Sequence, residues 1–166
     1  GLPEHALNVL RALYNGNRCL LSLFGTTFPG FDMTGGIRQG CPLSPLIFVA
    51  VIDSLLRNLR QQLPEDLERG YCDDTAIVLG ELFHALPMLQ SIFSHFQRAS
   101  GLRLNLPKTT IIPLGSYSPH EIQQRLRQSQ DPWQEVTCSD WGMYLGFATG
   151  PGRAQHSWER PLQKFA

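Results

Sequence analysis

An α+β fold is the class this sequence predicts, on three observations: segments with helical apolar spacing, short extended pieces bounded by glycine, and an acidic turn between two extended arms. No repeat, low-complexity tract or internal linker interrupts the pattern. From Pro3 to Asn15, apolar Ala6, Val9, Leu10, Leu13 and Tyr14 recur at helical spacing, and Asn15-Gly16 supplies a left-handed stop. Arg18 to Phe24 is short and apolar, and a second extended piece near Phe28 to Met33 can pair with it as a hairpin. Gly35-Gly36 then loosens the backbone.

Ser44 suits an N-cap and Pro45 the first helical position, so the nearly all-apolar run Leu46 to Leu56 predicts a buried helix. That helix turns polar after Arg57 and ends before Pro64, because the residue preceding proline is pushed away from helical angles. Tyr71 to Gly80 reads as extended chain around an acidic turn, with Ala76 to Leu79 as its second arm and Leu67 to Gly70 left to supply the preceding strand. Pro87 can open another helix, whose Leu89, Ile92, Phe93 and Phe96 share one apolar face and which Gly101 terminates. Thr109 to Leu114 is a strand candidate. Ser118-Pro119-His120-Glu121 has capping-box spacing and starts a polar helix to about Ser129. Tyr144 to Ala148 is a last short extended piece.

With 166 residues, one core is expected, burying about two-thirds of the unfolded surface. A hydrophobic content of 42% with 17% charged residues fits a soluble globular class. No apolar run reaches the roughly 18 residues of a membrane span. Gly1-Leu2-Pro3-Glu4 carries no cationic stretch before an apolar core, so it reads as a cut end and not a secretory signal. Cys19, Cys41, Cys72 and Cys138 show no C-x-x-C spacing, which predicts reduced, mostly buried thiols in an intracellular, reducing compartment, nuclear or cytoplasmic. The formal net charge is zero, so composition gives no basic excess of the kind phosphate binding leaves. The cations are twelve Arg and only Lys108 and Lys164, and guanidinium suits bidentate phosphate contacts better than ammonium.

Adjacent aspartates are common in turns, and taken alone Asp73-Asp74 would be a solvated turn. Their flanks change that reading. Tyr71-Cys72 precede them and the β-branched, apolar Thr75 to Leu79 follows, so the pair is held at a hairpin tip on rigid extended chain. Two carboxylates so fixed make a hard-oxygen cation site. Phosphoryl transfer needs such a site, because paired divalent ions stabilise both the attacking and the leaving oxygen. Two aspartates offset only half the charge of two magnesium ions, so a triphosphate and a further carboxylate should contribute.

Gly36-Ile37-Arg38-Gln39-Gly40-Cys41-Pro42-Leu43-Ser44-Pro45 resembles motif B of reverse transcriptases, particularly the non-LTR retrotransposon type, written G-x-R-Q-G-C-P-L-S-P. Tyr71-Cys72-Asp73-Asp74 resembles motif C, with Cys72 where a small alanine is usual. Ser100-Gly101-Leu102-Arg103-Leu104-Asn105 through Lys108-Thr109 is similar to motif D, and Tyr144-Leu145-Gly146 resembles motif E. All four stand in family order. The resemblance implies a polymerase palm over residues 1–166, an antiparallel sheet with helices packed on one face, with 143–166 the primer-grip hairpin and the start of a thumb. It implies RNA-directed DNA polymerase chemistry with Mg²⁺, or Mn²⁺ in its place, an RNA template, a DNA primer and deoxynucleoside triphosphates. Asp73 and Asp74 become metal ligands, and Lys108 becomes a group that protonates or stabilises the departing pyrophosphate. Arg38, Gln39, Gly40 and Tyr71 become substrate-binding residues, and Tyr144, Leu145 and Gly146 grip the primer terminus.

The match begins after motif A, which in the family contributes another metal-binding aspartate; Leu2-Pro3 to Tyr14 resembles the helix that follows it. Asp32, Asp53 and Asp66 have no matching context and are not promoted to that role. Upstream fingers with motif A, and a downstream thumb, are therefore expected partners from a parent protein. No activity is expected of the isolated fragment. A catalytically inactive retroelement relic, or a palm-shaped module that binds RNA or protein, is the alternative; a group II intron maturase or an RNA-templated viral polymerase is a weaker one. The five histidines form no metal-ligand spacing.

Overall fold

The structure, a computed structural model, describes residues 2–129, 132–158 and 162. It divides into two compact units, Gly1–Ile47 and Phe48–Ala166. Among the described residues four α-helices are interspersed with short strand pairs, so the α+β class is borne out. No helix among the described residues is long and apolar enough to cross a membrane.

The first unit opens with α1 (Glu4–Tyr14), which has Glu4 in its first turn and Arg11 in its last, each at the end its charge favours. Gly16 follows at φ 69°. Strands β1 (Arg18–Leu23) and β2 (Thr26–Asp32) then form the expected hairpin, with Leu23 opposite Thr26 across the turn Phe24-Gly25. Their large apolar side chains stay in contact with solvent: Leu20, Leu21, Leu23, Phe24, Phe28 and Phe31 are all exposed. Ser44 is the first helical residue of α2 (Ser44–Gln62), and its hydroxyl turns back to the Arg38 carbonyl at 2.6 Å.

The second unit holds the apolar core. Leu55, Leu59 and Leu63 form one stripe at helical spacing, and α3 (Leu82–Ser100) adds Ala85, Leu86, Leu89 and Ile92. Ile122 and Leu126 of α4 (Pro119–Gln128) close it, with Trp133 and Val136. Helix α4 begins with the expected capping box: the Ser118 hydroxyl accepts the Glu121 N–H, and the Glu121 carboxylate accepts the Ser118 N–H at 2.7 Å. Gly101 closes α3 at φ 76°, as a left-handed terminator should.

Several expectations need correction. Leu46 and Val49 are 67% and 64% exposed, so the first half of α2 is not buried; Leu46 stands on the opposite side of the helix from Leu55, which the core claims. Helix α3 starts at Leu82 and carries Pro87 inside it. Burial of Ala85 and Leu86 extends the helix backward, and a proline so near the N-terminus removes only one backbone bond. The strand expected over Thr109 to Leu114 shrinks to β5 (Thr110–Ile111), which pairs in parallel with β6 (Thr137–Cys138). The next residue, Ile112, packs its side chain against Gly142 and Gly150. All four thiols are free, but Cys72 is exposed and Cys19, Cys41 and Cys138 are half-buried, so mostly buried cysteines are not what the fold contains.

Among the described residues antiparallel pairing is present as three two-stranded ladders and not as one sheet. The third ladder joins β7 (Gly142–Tyr144) to β8 (Phe147–Thr149). The start of a thumb expected toward residue 166 falls largely on 159–161 and 163–166, outside the described residues.

Candidate active site

Strands β3 (Leu67–Tyr71) and β4 (Asp74–Val78) pair from Leu67 opposite Val78 to Tyr71 opposite Asp74, leaving Cys72 and Asp73 as a two-residue loop. The expected acidic tip is therefore present. Period-two alternation puts Glu68, Gly70, Thr75 and Ile77 on one face and Tyr71 and Asp74 on the other. The first face is held down by α2. A Cβ on Gly70 would lie 3.1 Å from Leu56 Cδ1 and 3.7 Å from Ile52 Cγ2, so glycine is what lets strand and helix approach this closely.

Glu68 is 6% exposed and is held by Arg60, which donates to Oε1 through Nε at 2.7 Å and through Nη2 at 2.5 Å. Hydrogen bonding from Arg60 outweighs burial and holds the Glu68 carboxyl below the usual carboxylate range. Asp66 accepts the Gly80 N–H at 2.8 Å and ties the two ends of the hairpin together. Ile77 and Leu79 pack against the core.

On this anchored base the tip stands in solvent, with Asp73, Asp74 and Tyr71 exposed. Cys72 adopts φ 52°, a left-handed conformation that an L side chain reaches at a cost. Backbone strain of this kind is commonly stored at functional sites.

Adjacent at the end of the hairpin, Asp73 and Asp74 offer carboxylate oxygens, the donor class a hard divalent cation takes. Among the described residues no group of three or more His, Cys, Asp or Glu is gathered to hold a metal, so the pair alone would offer only part of a coordination shell. The three other acids weighed above are engaged elsewhere: Asp32 with Arg18 at 3.0 Å, Asp53 with Arg57 at 2.6 Å and Asp66 with the Gly80 amide.

Lys108 ends a 3₁₀ turn, Leu106–Lys108, that is capped by the Asn105 side chain; its own side chain is exposed just before β5. Tyr144 stands opposite Phe147 across the Leu145-Gly146 turn, whose two residues sit at φ 51° and 85° as a type I′ hairpin requires.

In the first unit, Gln39 and Gly40 are exposed on the loop before α2, and Gly40 takes φ 80°. Nothing lies within 4 Å of a Cβ built there, so the backbone angle and not crowding calls for glycine. Arg38 is not simply exposed. Its guanidinium donates to the Leu13 carbonyl, at the C-terminal end of α1, and to Asn17 Oδ1, and lies 5.3 Å from the Tyr14 ring centroid. A hollow of about 120 Å³ opens beside it, lined by Tyr14, Asn17, Met33, Thr34 and Gly35-Gly36.

The sequence placed Ser44 in the motif B resemblance and at the head of a helix, and Tyr14 only on the apolar face of α1. The Cys41 thiol between them is pushed below its usual range, chiefly by the Leu43 backbone N–H against the opposing effect of burial, with the Ser44 and Tyr14 hydroxyls adding to it.

Comparison with known proteins agrees with the motifs. The family model described as reverse transcriptase (RNA-dependent DNA polymerase) matches residues 2–148. The chain is 27% identical over 113 residues to the retrovirus-related Pol polyprotein from type-2 retrotransposable element R2DM of Drosophila melanogaster, covering 65% of this chain and 11% of that protein. It is 26% identical over 145 residues to the transposon TX1 uncharacterized 149 kDa protein of Xenopus laevis, covering 82% of this chain and 11% of that one. The chain thus spans about a tenth of each curated relative. Matched over residues 2–148, the chain belongs to the reverse transcriptase (RNA-dependent DNA polymerase) family.

Proposed function

We propose that this chain is the palm portion of an RNA-directed DNA polymerase of the non-LTR retrotransposon type, and that Asp73 and Asp74 hold its catalytic divalent ions. One observation carries the reading: Asp73 in the two-residue turn and Asp74 at the first position of β4 stand exposed and adjacent at the end of a hairpin whose base is fixed by Gly70 against α2 and by the Glu68–Arg60 pair. Nucleotidyl transfer requires ligands that do not move as charge develops.

In this reading the primer 3′-hydroxyl oxygen bonds to the α-phosphorus of a deoxynucleoside triphosphate as the bond to pyrophosphate breaks. Bound Mg²⁺, or Mn²⁺, supplies charge stabilisation to the attacking and leaving oxygens. Asp73 is the principal ligand and Asp74 the second. Gln39 and Gly40 shape the nucleotide pocket, with Arg38 holding their loop and Tyr71 lying beside the metal ligands. Lys108 gives a proton to the departing pyrophosphate or neutralises it. Tyr144, Leu145 and Gly146 grip the primer end on the RNA template.

The remaining carboxylate, the fingers and the thumb come from other parts of the parent protein. The isolated 166-residue chain is accordingly expected to show no primer extension, even with manganese. The direct test is Asp73→Asn in the full polypeptide, assayed for primer extension on an RNA template. Loss of extension with an unchanged melting profile is expected. Wild-type extension by the variant would rule out the metal role, and a folded full polypeptide that binds RNA yet never extends a primer would favour a binding module instead.

A further inference from the structure

We infer that Tyr14 is a positioning residue for the Gln39-Gly40 loop, acting on both ends of the segment through Arg38 and Ser44. The inference rests on the polymerase reading above for its catalytic consequence, and on the first unit alone for its geometry.

The segment from Arg38 to the head of α2 at Ser44 contains no strand and only two short turns, at 39–40 and 42–43, so contacts made from outside it contribute to its shape. At its start, the Arg38 guanidinium lies over the Tyr14 ring and donates to the Leu13 carbonyl and Asn17, at the end of the same helix. At its finish, the Ser44 hydroxyl is 3.1 Å from the Tyr14 hydroxyl. That same Ser44 Oγ donates to the Arg38 carbonyl at 2.6 Å and so joins the two ends directly. Backbone bonds from the Cys41 N–H to the Arg38 carbonyl (3.4 Å) and from the Ser44 N–H to the Cys41 carbonyl (3.0 Å) complete the loop. Ser44 is 7% exposed in a unit whose neighbouring side chains are largely solvated, which is unusual for a serine at the head of a helix.

One aromatic side chain therefore meets the cation at one end of the loop and the hydroxyl at the other. Gln39 and Gly40 lie between those two anchors and are themselves exposed. A loop fixed at both ends offers its exposed residues in one arrangement, which lowers the ordering cost of binding a substrate. Tyr14 touches no reacting group in this account. Its effect passes through the conformation of the loop, so it should appear in nucleotide affinity and not in the chemical step.

The experiment uses two variants of the full polypeptide. Tyr14→Phe keeps the ring under Arg38 and removes the hydroxyl; Tyr14→Leu removes both contacts. Amide hydrogen exchange is measured first, because it needs no turnover. Exchange at residues 38–44 is expected to quicken about three- to tenfold in Tyr14→Phe, the worth of one hydrogen bond, and further in Tyr14→Leu, with the rest of the chain unchanged. Steady-state kinetics should then show KM for the deoxynucleoside triphosphate rising by a similar factor with kcat within about twofold. Unchanged exchange in Tyr14→Leu overturns the inference. Exchange that quickens throughout the α1 to β2 region also overturns it, since Tyr14 would then be a general packing residue, and so does local loosening with an unmoved KM. Wild-type enzyme and Asp73→Asn run in parallel separate the two levels: a wild-type polypeptide that never extends a primer refutes the polymerase reading and an active Asp73→Asn enzyme refutes the metal role of Asp73, whereas an active wild type beside an unaffected Tyr14→Leu enzyme refutes only the role of Tyr14.

Discussion

Cys72, one residue before Asp73, lets the hairpin geometry be tested by stability alone. Its φ of 52° places a side chain where Cβ crowds the backbone, a cost of about 1–2 kcal/mol for an L residue. Cys72→Gly removes that crowding but adds about 0.5–1 kcal/mol of unfolded-chain entropy. The net expected gain is about 0.5–1 kcal/mol, because Cys72 is exposed and little packing is lost. Cys72→Ala keeps the same Cβ and should be neutral to within about 0.5 kcal/mol. Cys72→Val places a β-branched residue at positive φ and should lose about 1 kcal/mol or more. Urea denaturation with an unchanged slope reads all three as shifts in midpoint. The order Gly, then Ala with Cys, then Val is predicted; equal midpoints for all four, or valine the most stable, would show that this turn is not left-handed. Cys72→Val should also lower polymerase turnover in the full polypeptide beyond its effect on stability, because the bend that aims Asp73 is altered.

Leu59 is 1% exposed at the centre of the core, so Leu59→Ala should cost about 2–5 kcal/mol, checked by thermal and urea unfolding. Arg60 depresses the Glu68 pKa, so the stability Glu68 contributes is present above the ordinary glutamate pKa of about 4.3 and lost as pH falls through the lower folded value. Glu68→Gln should therefore be less stable than wild type at pH 7 and converge with it in acid; parallel stability curves from pH 7 to 3 would contradict this. Gln123 donates to the Val136 carbonyl and accepts the Cys138 N–H, both at 3.1 Å, and Gln123→Ala should cost about 1–3 kcal/mol and speed exchange of the Cys138 amide. Lys108→Gln in the full polypeptide should lower kcat tenfold or more while leaving KM for the nucleotide in place.

What the sequence revealed was local. The Ser118–Glu121 capping box and the Gly101 terminator each need only a few neighbouring residues, and both stand where the spacing put them. The acidic turn was legible for the same reason, since two extended arms flank it. Contacts between distant segments were not legible. Nothing local marks Glu68 as buried, because its partner Arg60 lies in the preceding helix. The parallel pairing of Thr110 with Thr137 joins residues far apart in the chain, with Gln123 bridging to the second strand. Pro87 misled because proline usually opens a helix, whereas burial of Ala85 and Leu86 set the true start. Apolar composition alone does not bury Leu46 and Val49, because a helix has two sides and the core claims only one. In the candidate site, Asp73 and Asp74 could be read from their flanks, but the strained Cys72 angle and the Tyr14–Ser44 contact appear only in three dimensions.

Metal binding by the hairpin carboxylates is what polymerase chemistry at this turn requires. Crystals of the full polypeptide with primer, RNA template, an unreactive nucleotide analogue and Mn²⁺ would locate the ion by its anomalous scattering. An anomalous peak within about 2.5 Å of an Asp73 carboxylate oxygen, with Asp74 beside it, is the predicted result. Manganese bound at the nucleotide with both aspartates pointing away into solvent would contradict it.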